Sequence, residues 1–170
     1  MKAFLIIGNM NAVKYKEVFP LIKAGEVRLG VCNRIRAFVT HEGTLQPFGN
    51  TYWFTTLTHD HINPPLTLTA TYTPEAYPRY DNYDAIEVSR TKDIPCDYYG
   101  VMGVPISFLD KYCPEQFEIL GITQRADDPY KLKRYDASEY HNANDLNCRA
   151  VIIANGKPKA IFPRILIKRK

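Results

Sequence analysis

Two histidines and an aspartate lie together in the stretch His59-Asp60-His61. On a β-strand, His59 and His61 would share one face and both could reach a metal ion. The other two histidines, His41 and His141, are distant in sequence and do not complete a ligand pattern. An exposed turn is therefore the favoured interpretation of this stretch, and we predict no metal site.

The four residues that follow this turn, Asn63-Pro64-Pro65-Leu66, could bind an amino group. An Asn side chain and a proline carbonyl can accept hydrogen bonds from the exocyclic amino group of a base, provided that a following aromatic residue stacks on the ring. Leu66 has no planar ring, and the polar residues before Asn63 do not form the buried strand that such a motif needs. Asn-Pro-Pro is also ordinary turn chemistry. We therefore predict no catalytic residue here.

The charged side chains of the last 22 residues are all basic. Between residues 149 and 170 there are seven basic residues and no acidic one: Arg149, Lys157, Lys159, Arg164, Lys168, Arg169 and Lys170. Lysines of this kind can protect an edge strand against aggregation, or they can contact phosphates. The net charge of the whole chain is only +4, so charge alone favours the first interpretation.

The composition fits one soluble globular protein of the cytoplasm. The chain has 170 residues, of which 45% are hydrophobic, enough for a sizeable core. No segment has the long apolar run of a membrane helix, and the first residues do not form a signal peptide. Its four cysteines are widely scattered, which favours reduced thiols over a disulfide framework.

The elements that must position the polar groups change in character near residue 58. Before it, the apolar run at residues 4–7 predicts a central parallel strand, and ligands bind at the carboxyl ends of such strands. The remaining predictions for this part are a helix at 13–24 that kinks or breaks at Pro20, strands at 27–31, 35–40 and 51–57 with the last pair antiparallel, and a loop at 43–50.

After residue 58 the periodicity is weaker. Asn155-Gly156 between two apolar runs is a strong hairpin signal, although Pro158 and Pro163 limit pairing. The other predictions are a strand at 66–72, a glycine-determined turn at 100–105, a short helix at 106–112, a strand at 117–123, a loop at 125–147, and the two hairpin strands at 150–154 and 161–167.

Four long blocks resemble the EcoRI-type adenine-specific DNA methyltransferases, and they occur in the order found in that family. They are FLIIGNMNAVKYKEVFPLIK at 4–23, YPRYDNYDAIEV at 77–88, KDIPCDYYGVMGVPISFLDKYCPEQFEILG at 92–121 and FPRILIKRK at 162–170. Together they cover about half of the chain. In that family, the glycine-containing cofactor loop and the catalytic tetrapeptide precede the segment that these blocks resemble. Neither motif has a counterpart in the four blocks.

The resemblance implies the carboxyl-terminal portion of an S-adenosylmethionine-dependent enzyme that methylates adenine N6 in a restriction-modification system. The implied fold is α/β: a partial Rossmann-like methyltransferase sheet at 1–58, continuing into an irregular, mostly β region at 59–170 with a terminal hairpin, which faces DNA and recognises the target. We expect double-stranded DNA as partner and no S-adenosylmethionine bound by this chain alone. An amino-terminal methyltransferase half, or a second copy, would cover an exposed sheet edge.

The resemblance also implies candidate site residues. Asn9, Asn11 and Phe38 would line the pocket for a flipped base, although the asparagines could equally cap a helix and Phe38 could be a core residue. Contacts with DNA would come from the tyrosine-rich block and the basic end. These candidates are Arg79, Tyr80, Asn82, Tyr83, Lys168, Arg169 and Lys170. Tyrosine-rich turns also close small sheets through their hydroxyl groups, and this alternative stays open. A noncatalytic DNA-binding subunit and a plain interaction domain are the other hypotheses.

Overall fold

The computed structural model describes residues 3–34, 37–57, 63–124 and 128–170, with the backbone alone for 31–34. The chain forms two compact units, Met1–Asn63 (unit 1) and Pro64–Lys170 (unit 2). The described parts are mixed α/β, with many more strands than helices. None of their helices combines the length and the apolar character needed to cross a bilayer.

Unit 1 is built on a three-stranded sheet of order β1-β5-β2. Its strands are β1 (Leu5–Asn9), β2 (Arg28–Arg34) and β5 (Thr51–Thr55), and β5 is antiparallel to both neighbours. The predicted antiparallel last pair is confirmed for β2 with β5, but the predicted piece at 35–40 does not join it: its described residues 37–39 pair with residues 45–47 instead. Strand β1 differs from the prediction of a central parallel strand: it lies at a sheet edge, and its described pairing is antiparallel. An apolar run shows that a strand can be covered on both faces, but it does not identify its neighbours.

The predicted helix at 13–24 is divided into two short pieces. A 3₁₀ helix spans Met10–Lys14, and α1 spans Phe19–Lys23 with Pro20 in its first turn. Proline is tolerated there because the first N–H groups of a helix have no acceptor within the helix. The prediction of a break within this helix is confirmed, but the break lies at residues 15–18, just before the second piece that contains the exposed Pro20. Unit 1 has its own buried core. Its buried apolar side chains are Met10, Val13, Phe19, Val27, Tyr52 and Phe54.

A separate hairpin extends unit 1. It consists of β3 (Ala37–Val39) and β4 (Leu45–Pro47), paired antiparallel. The prediction of a loop over 43–50 is thus wrong for its middle part, since Leu45–Pro47 pairs with β3. Residues 35 and 36 of the predicted 35–40 strand lie outside the described residues, as does the whole His59-Asp60-His61 stretch.

Unit 2 contains a four-stranded sheet of order β6-β7-β11-β8. The strands are β6 (Ile86–Glu87), β7 (Met102–Pro105), β8 (Phe117–Ile122) and β11 (Arg164–Arg169); β6 and β7 are parallel, and the other pairs are antiparallel. Strand β11 lies between two neighbours, and Ile165, Leu166 and Ile167 are fully buried along it. The predicted strand at 117–123 and the short helix at 106–112 are confirmed, the latter as the 3₁₀ helix Ile106–Lys111.

The prediction of a turn at 100–105 is wrong, because Met102–Pro105 is an interior strand. The glycine at 103 serves close packing rather than a turn. A Cβ on Gly103 would lie only 2.8 Å from Cε2 of Tyr80, so the ring can lie flat against the strand only when residue 103 has no side chain. The predicted strand at 66–72 is also wrong. Residues 66–72 form no strand, only one isolated bridge from Ala70 to Pro95.

The end of unit 2 contains a helix and the predicted hairpin. Helix α2 (Ala143–Cys148) begins within the segment predicted as a loop, of which 125–127 lie outside the described residues. Strands β9 (Val151–Ala154) and β10 (Lys157–Ala160) pair antiparallel through the turn Asn155-Gly156, which confirms the turn. The second hairpin strand is β10 rather than the predicted 161–167, because the chain leaves β10 and enters the four-stranded sheet as β11.

Candidate nucleic-acid interface

The tyrosine-rich segment at 77–88 is mostly interior. Tyr80 is 5% exposed, and its hydroxyl donates a hydrogen bond to a carboxylate oxygen of Glu87. Burial, followed by the charge of Glu87, raises the pKa of Tyr80 well above its ordinary value. Tyr83 is 2% exposed, and its hydroxyl donates to Oδ2 of Asp128 at 2.9 Å. Both rings therefore lie in the core of unit 2. This agrees with the alternative that tyrosine-rich turns close small sheets through their hydroxyl groups.

The side chain of Asn82 joins the tyrosine-rich segment to the backbone around residue 150 in unit 2. It is fully buried, and its amide nitrogen donates to the carbonyl oxygen of Arg149 at 2.7 Å, while its Oδ1 accepts from the backbone N–H of Val151 at 2.8 Å. An amide whose donor and acceptor are both used by backbone groups has no hydrogen-bonding edge left for a base. Tyr80, Asn82 and Tyr83 thus lie away from the surface that nucleic acid could contact.

Arg79 is the surface member of the same segment. Its side chain is 57% exposed and forms an ion pair with the exposed carboxylate of Asp84. Exposed pairs of this kind hold their partners weakly, because water screens both charges. The guanidinium is therefore available to an anionic partner that competes with Asp84.

A buried ion pair connects the segment to β11. Arg164 donates to Glu87 from Nε at 3.0 and 3.2 Å and from Nη2 at 2.6 Å, and the two side chains are only 12% and 5% exposed. This bidentate pair fixes the segment against the sheet. The sequence contains no local signal for it, because the partners are 77 residues apart.

The basic carboxyl end presents its three terminal cations differently. Lys168 and Lys170 are exposed, although Lys168 lies opposite the exposed Glu118 on β8. Arg169 lies over the ring of Tyr99, with 4.8 Å between its Cζ and the ring centroid, and it donates to the backbone carbonyl of Cys96. Lys168 and Lys170 therefore suit phosphate contacts, whereas Arg169 has a structural role as well.

The three base-pocket candidates of unit 1 lie in two places. Asn9 is the N-cap of the Met10–Lys14 helix, and its side chain accepts from the backbone N–H of Asn11 at 2.8 Å. Asn11 Oδ1 is buried and has no hydrogen-bond partner among the described residues. Phe38 lies on the β3–β4 hairpin against Phe48, with 4.7 Å between ring centroids, and is 42% exposed. Asn9 thus performs the alternative capping role, and Asn11 retains a free acceptor.

The residues after the histidine stretch are held by the side-chain amide of Gln116. The backbone N–H of Leu66 donates to Oε1 of Gln116 at 2.6 Å, and Nε2 of Gln116 donates back to the Leu66 carbonyl at 2.9 Å. This pairing fastens the start of unit 2 to the residues before β8. Across the four described ranges, no three His, Cys, Asp or Glu side chains come close enough to form a metal site.

Comparison with known proteins identifies the class. The family described as adenine-specific methyltransferase EcoRI matches the chain over residues 1–170. A match over the full length shows membership, so the chain belongs to this family of restriction-modification DNA methyltransferases. The family resemblance deduced from the four sequence blocks is confirmed.

Individual relatives agree with the family. The chain is 44% identical to the type II methyltransferase M.EcoRI of Escherichia coli over 147 residues, which cover 75% of this chain and 45% of that protein. It is 32% identical to the type II methyltransferase M.MgeORF184P of Mycoplasma genitalium, over 99% of this chain and 57% of the relative. The chain thus spans about half the length of the curated relatives that it matches. No solved structure is significantly similar to it.

Proposed function

We propose that this chain is the DNA-contacting portion of an enzyme that methylates adenine N6, and that unit 2 contributes DNA binding and target recognition. The observation that carries this proposal is the family match over the whole chain. It is supported by the run of seven basic residues without an acidic one at 149–170. Lysines that contact phosphates supply most of the sequence-independent affinity for DNA.

The reaction proposed for the intact enzyme depends on how the adenine amino group is positioned more than on a strong base. The exocyclic nitrogen of adenine must be turned out of the duplex, and hydrogen bonds from its N–H groups must free the lone pair for attack on a methyl group. When bound, S-adenosylmethionine would supply that methyl group and leave as S-adenosylhomocysteine, while the methylated nitrogen would lose one proton. The buried free acceptor of Asn11 fits the edge of such a pocket, since an amide oxygen can accept from an amino group.

The described residues of unit 1 do not fit a complete cofactor site. In a Rossmann-like sheet, the fold that the family resemblance implies, an Asp or Glu side chain held beside the cofactor usually bonds to its ribose. The carboxylates described in unit 1, Glu17, Glu26 and Glu42, are all exposed. We therefore propose that the cofactor is held by residues outside this chain. Isothermal calorimetry with S-adenosylmethionine should give no saturable heat, and stoichiometric binding would overturn this part of the proposal.

A second polypeptide segment is proposed beside β1. Leu5, Ile6 and Ile7 are 53%, 53% and 49% exposed, and β1 pairs on one side only within the described chain. An apolar strand with an open edge favours pairing with another strand. The occupant is the amino-terminal half of a methyltransferase, or a second copy when that half is absent. This observation also favours the alternative of a specificity subunit that complements a separate cofactor-binding chain.

The DNA-binding part is tested with a short mixed-sequence duplex over a salt series. If Lys168 and Lys170 each contact a phosphate, the double substitution Lys168→Gln/Lys170→Gln should reduce the slope of log affinity against log salt by about 2. The matched control is Lys14→Gln/Lys16→Gln in unit 1, which removes the same charge and should leave the slope unchanged. An intact chain that fails to bind the duplex even at low salt would contradict the proposal.

A further inference from the structure

The hairpin Val151–Ala160 (the β-ribbon) combines three features that the family match does not explain. It has a rigid base, a tight projecting turn and an exposed cationic strand. It contains no acidic residue. Each feature points to a specific kind of partner.

The base of the β-ribbon is held on both faces. Val151 is packed in a buried cluster with Tyr135, Ala143 and Leu146, whereas its neighbour Ile152 packs against the cluster of Tyr80, Tyr83 and Leu166. Successive side chains of a strand point to opposite faces, so the two clusters grip the ribbon from both sides. The backbone of Val151 is also bonded at both ends: its N–H donates to Asn82 Oδ1 at 2.8 Å, and its carbonyl accepts from Asp81 N at 2.7 Å.

The far end of the β-ribbon is exposed and tightly closed. Asn155 and Gly156 have φ of 51° and 73°, which is the positive pair of a type I′ turn. Ile153 is 52% exposed, and Asn155 at the turn is exposed as well. From the buried Val151 to Ala154 the strand rises about 10 Å, at about 3.4 Å per residue. The turn therefore lies about 10 Å or more along the ribbon from its buried base, a length comparable to the depth of the DNA major groove of about 8.5 Å.

The outer strand is unsuited to pairing with another protein strand. Lys157 and Lys159 are exposed, two residues apart on one face, and Pro158 between them has no N–H to donate to a ladder. Lysines and proline on an edge strand prevent β-sheet extension. The same two cations match a row of phosphates, and a two-stranded ribbon fits the width of the major groove of B-DNA.

We infer that the β-ribbon enters the major groove of the DNA, with Lys157 and Lys159 on the phosphates that border the groove and the amide of Asn155 facing the base edges. An Asn amide can pair with adenine N6 and N7 in that groove. This inference rests on the proposed DNA-binding function and specifies which element delivers it. It also explains the buried Asn82, which fixes the base of the ribbon instead of contacting a base itself.

The test compares neutral variants of the intact chain on one mixed-sequence duplex. Lys157→Gln/Lys159→Gln should lower the salt slope by about 2. The matched control, Lys92→Gln/Lys111→Gln, removes two exposed lysines elsewhere in unit 2 and should leave the slope unchanged. Asn155→Gly preserves the turn, because glycine also adopts positive φ, and it should retain the salt slope of the original chain. Near-UV circular dichroism verifies the fold of each variant.

Chemical footprinting then locates the ribbon. The intact chain should protect guanine N7 in the major groove from dimethyl sulfate, Asn155→Gly should keep that protection because its ribbon still lies in the groove, and Lys157→Gln/Lys159→Gln should lose it. If the chain binds DNA but N7 stays reactive, or if the control variant loses affinity equally, the groove inference is overturned while DNA binding stands. If the intact chain does not bind, the proposed function itself is overturned. Self-association that increases in Lys157→Gln/Lys159→Gln, without N7 protection, would identify a protein partner and also overturn the inference.

Discussion

The buried ion pair between Arg164 and Glu87 gives the sharpest prediction about the architecture of unit 2. Three N–H to oxygen contacts of 2.6–3.2 Å join two side chains that are 12% and 5% exposed. Substituting Arg164→Met keeps the length of the side chain but leaves the Glu87 carboxylate buried without its cation. Breaking a buried pair in this way costs about 3–5 kcal/mol, a large share of the total stability of a typical domain.

The assay is urea unfolding followed by the near-UV circular dichroism of tyrosine. Ten of the twelve tyrosines lie in unit 2, whereas the single tryptophan, Trp53, lies in unit 1 and reports on that unit by fluorescence. Arg164→Met should therefore lower the tyrosine transition and change the tryptophan transition little. The double variant Arg164→Met/Glu87→Gln should recover to within about 2 kcal/mol of the original chain, because no buried charge remains.

The matched control is the exposed ion pair of Arg90 and Asp93 in the same unit. It has a similarly short distance of 2.6 Å, but its side chains are 67% and 31% exposed. Arg90→Met should cost less than about 1 kcal/mol, since water screens such a pair. If Arg164→Met and Arg90→Met cost the same, burial does not govern the strength of the pair, and the account of how the tyrosine-rich segment is fixed to β11 is refuted.

Three other perturbations test separate parts of the structure. Gly103→Ala should destabilise unit 2 by about 1–3 kcal/mol in urea, because its Cβ would enter the space of the tyrosine ring packed on it; an unchanged midpoint would refute that packing. The hydrogen bond from Lys133 lowers the pKa of Asp81, so its contribution to stability should be present above the ordinary carboxyl pKa and be lost as the pH falls through the lowered value. Asp81→Asn should therefore flatten the acid limb of the stability profile, and an unaltered limb would contradict this assignment. Finally, the isolated chain should self-associate through β1 in concentration-dependent light scattering, and Ile6→Lys should abolish it; a monomer at high concentration would count against an open edge.

Local signals in the sequence predicted the parts of the fold that local chemistry determines. Asn155-Gly156 requires positive φ at two successive residues, which few other pairs adopt easily, and the turn is where the sequence places it. The apolar strand at 117–122 and the placement of Pro20 in the first turn of the second helical piece follow from equally local rules. Family membership was also recognisable, because four long blocks carry far more information than a tripeptide.

Long-range packing determined what the sequence could not show. Gly103 resembled a turn residue because its partner, the ring of Tyr80, is 23 residues away in the chain. Asn82 has the side chain of a base-contacting residue, but its hydrogen-bond partners, Arg149 and Val151, lie 67 and 69 residues away. The same polar residue types bind DNA at a surface and satisfy hydrogen bonds inside a core. Only the fold shows which of the two roles a given residue has.

The position of β1 shows a different limit. Its apolar run indicates coverage on both faces, and in the described chain one edge of the strand and much of Leu5, Ile6 and Ile7 are exposed instead. The sequence thus predicts a strand that is covered on both faces, whereas the described residues cover it only in part.

Hydrogen exchange of the intact chain, measured with and without a mixed-sequence duplex at low salt, tests most directly whether unit 2 grips DNA. We predict that amides in residues 151–170, covering the β-ribbon and all of β11, exchange more slowly when the duplex is present, and that this slowing disappears at high salt. If the amides of unit 2 exchange at the same rates with and without the duplex, the account is contradicted.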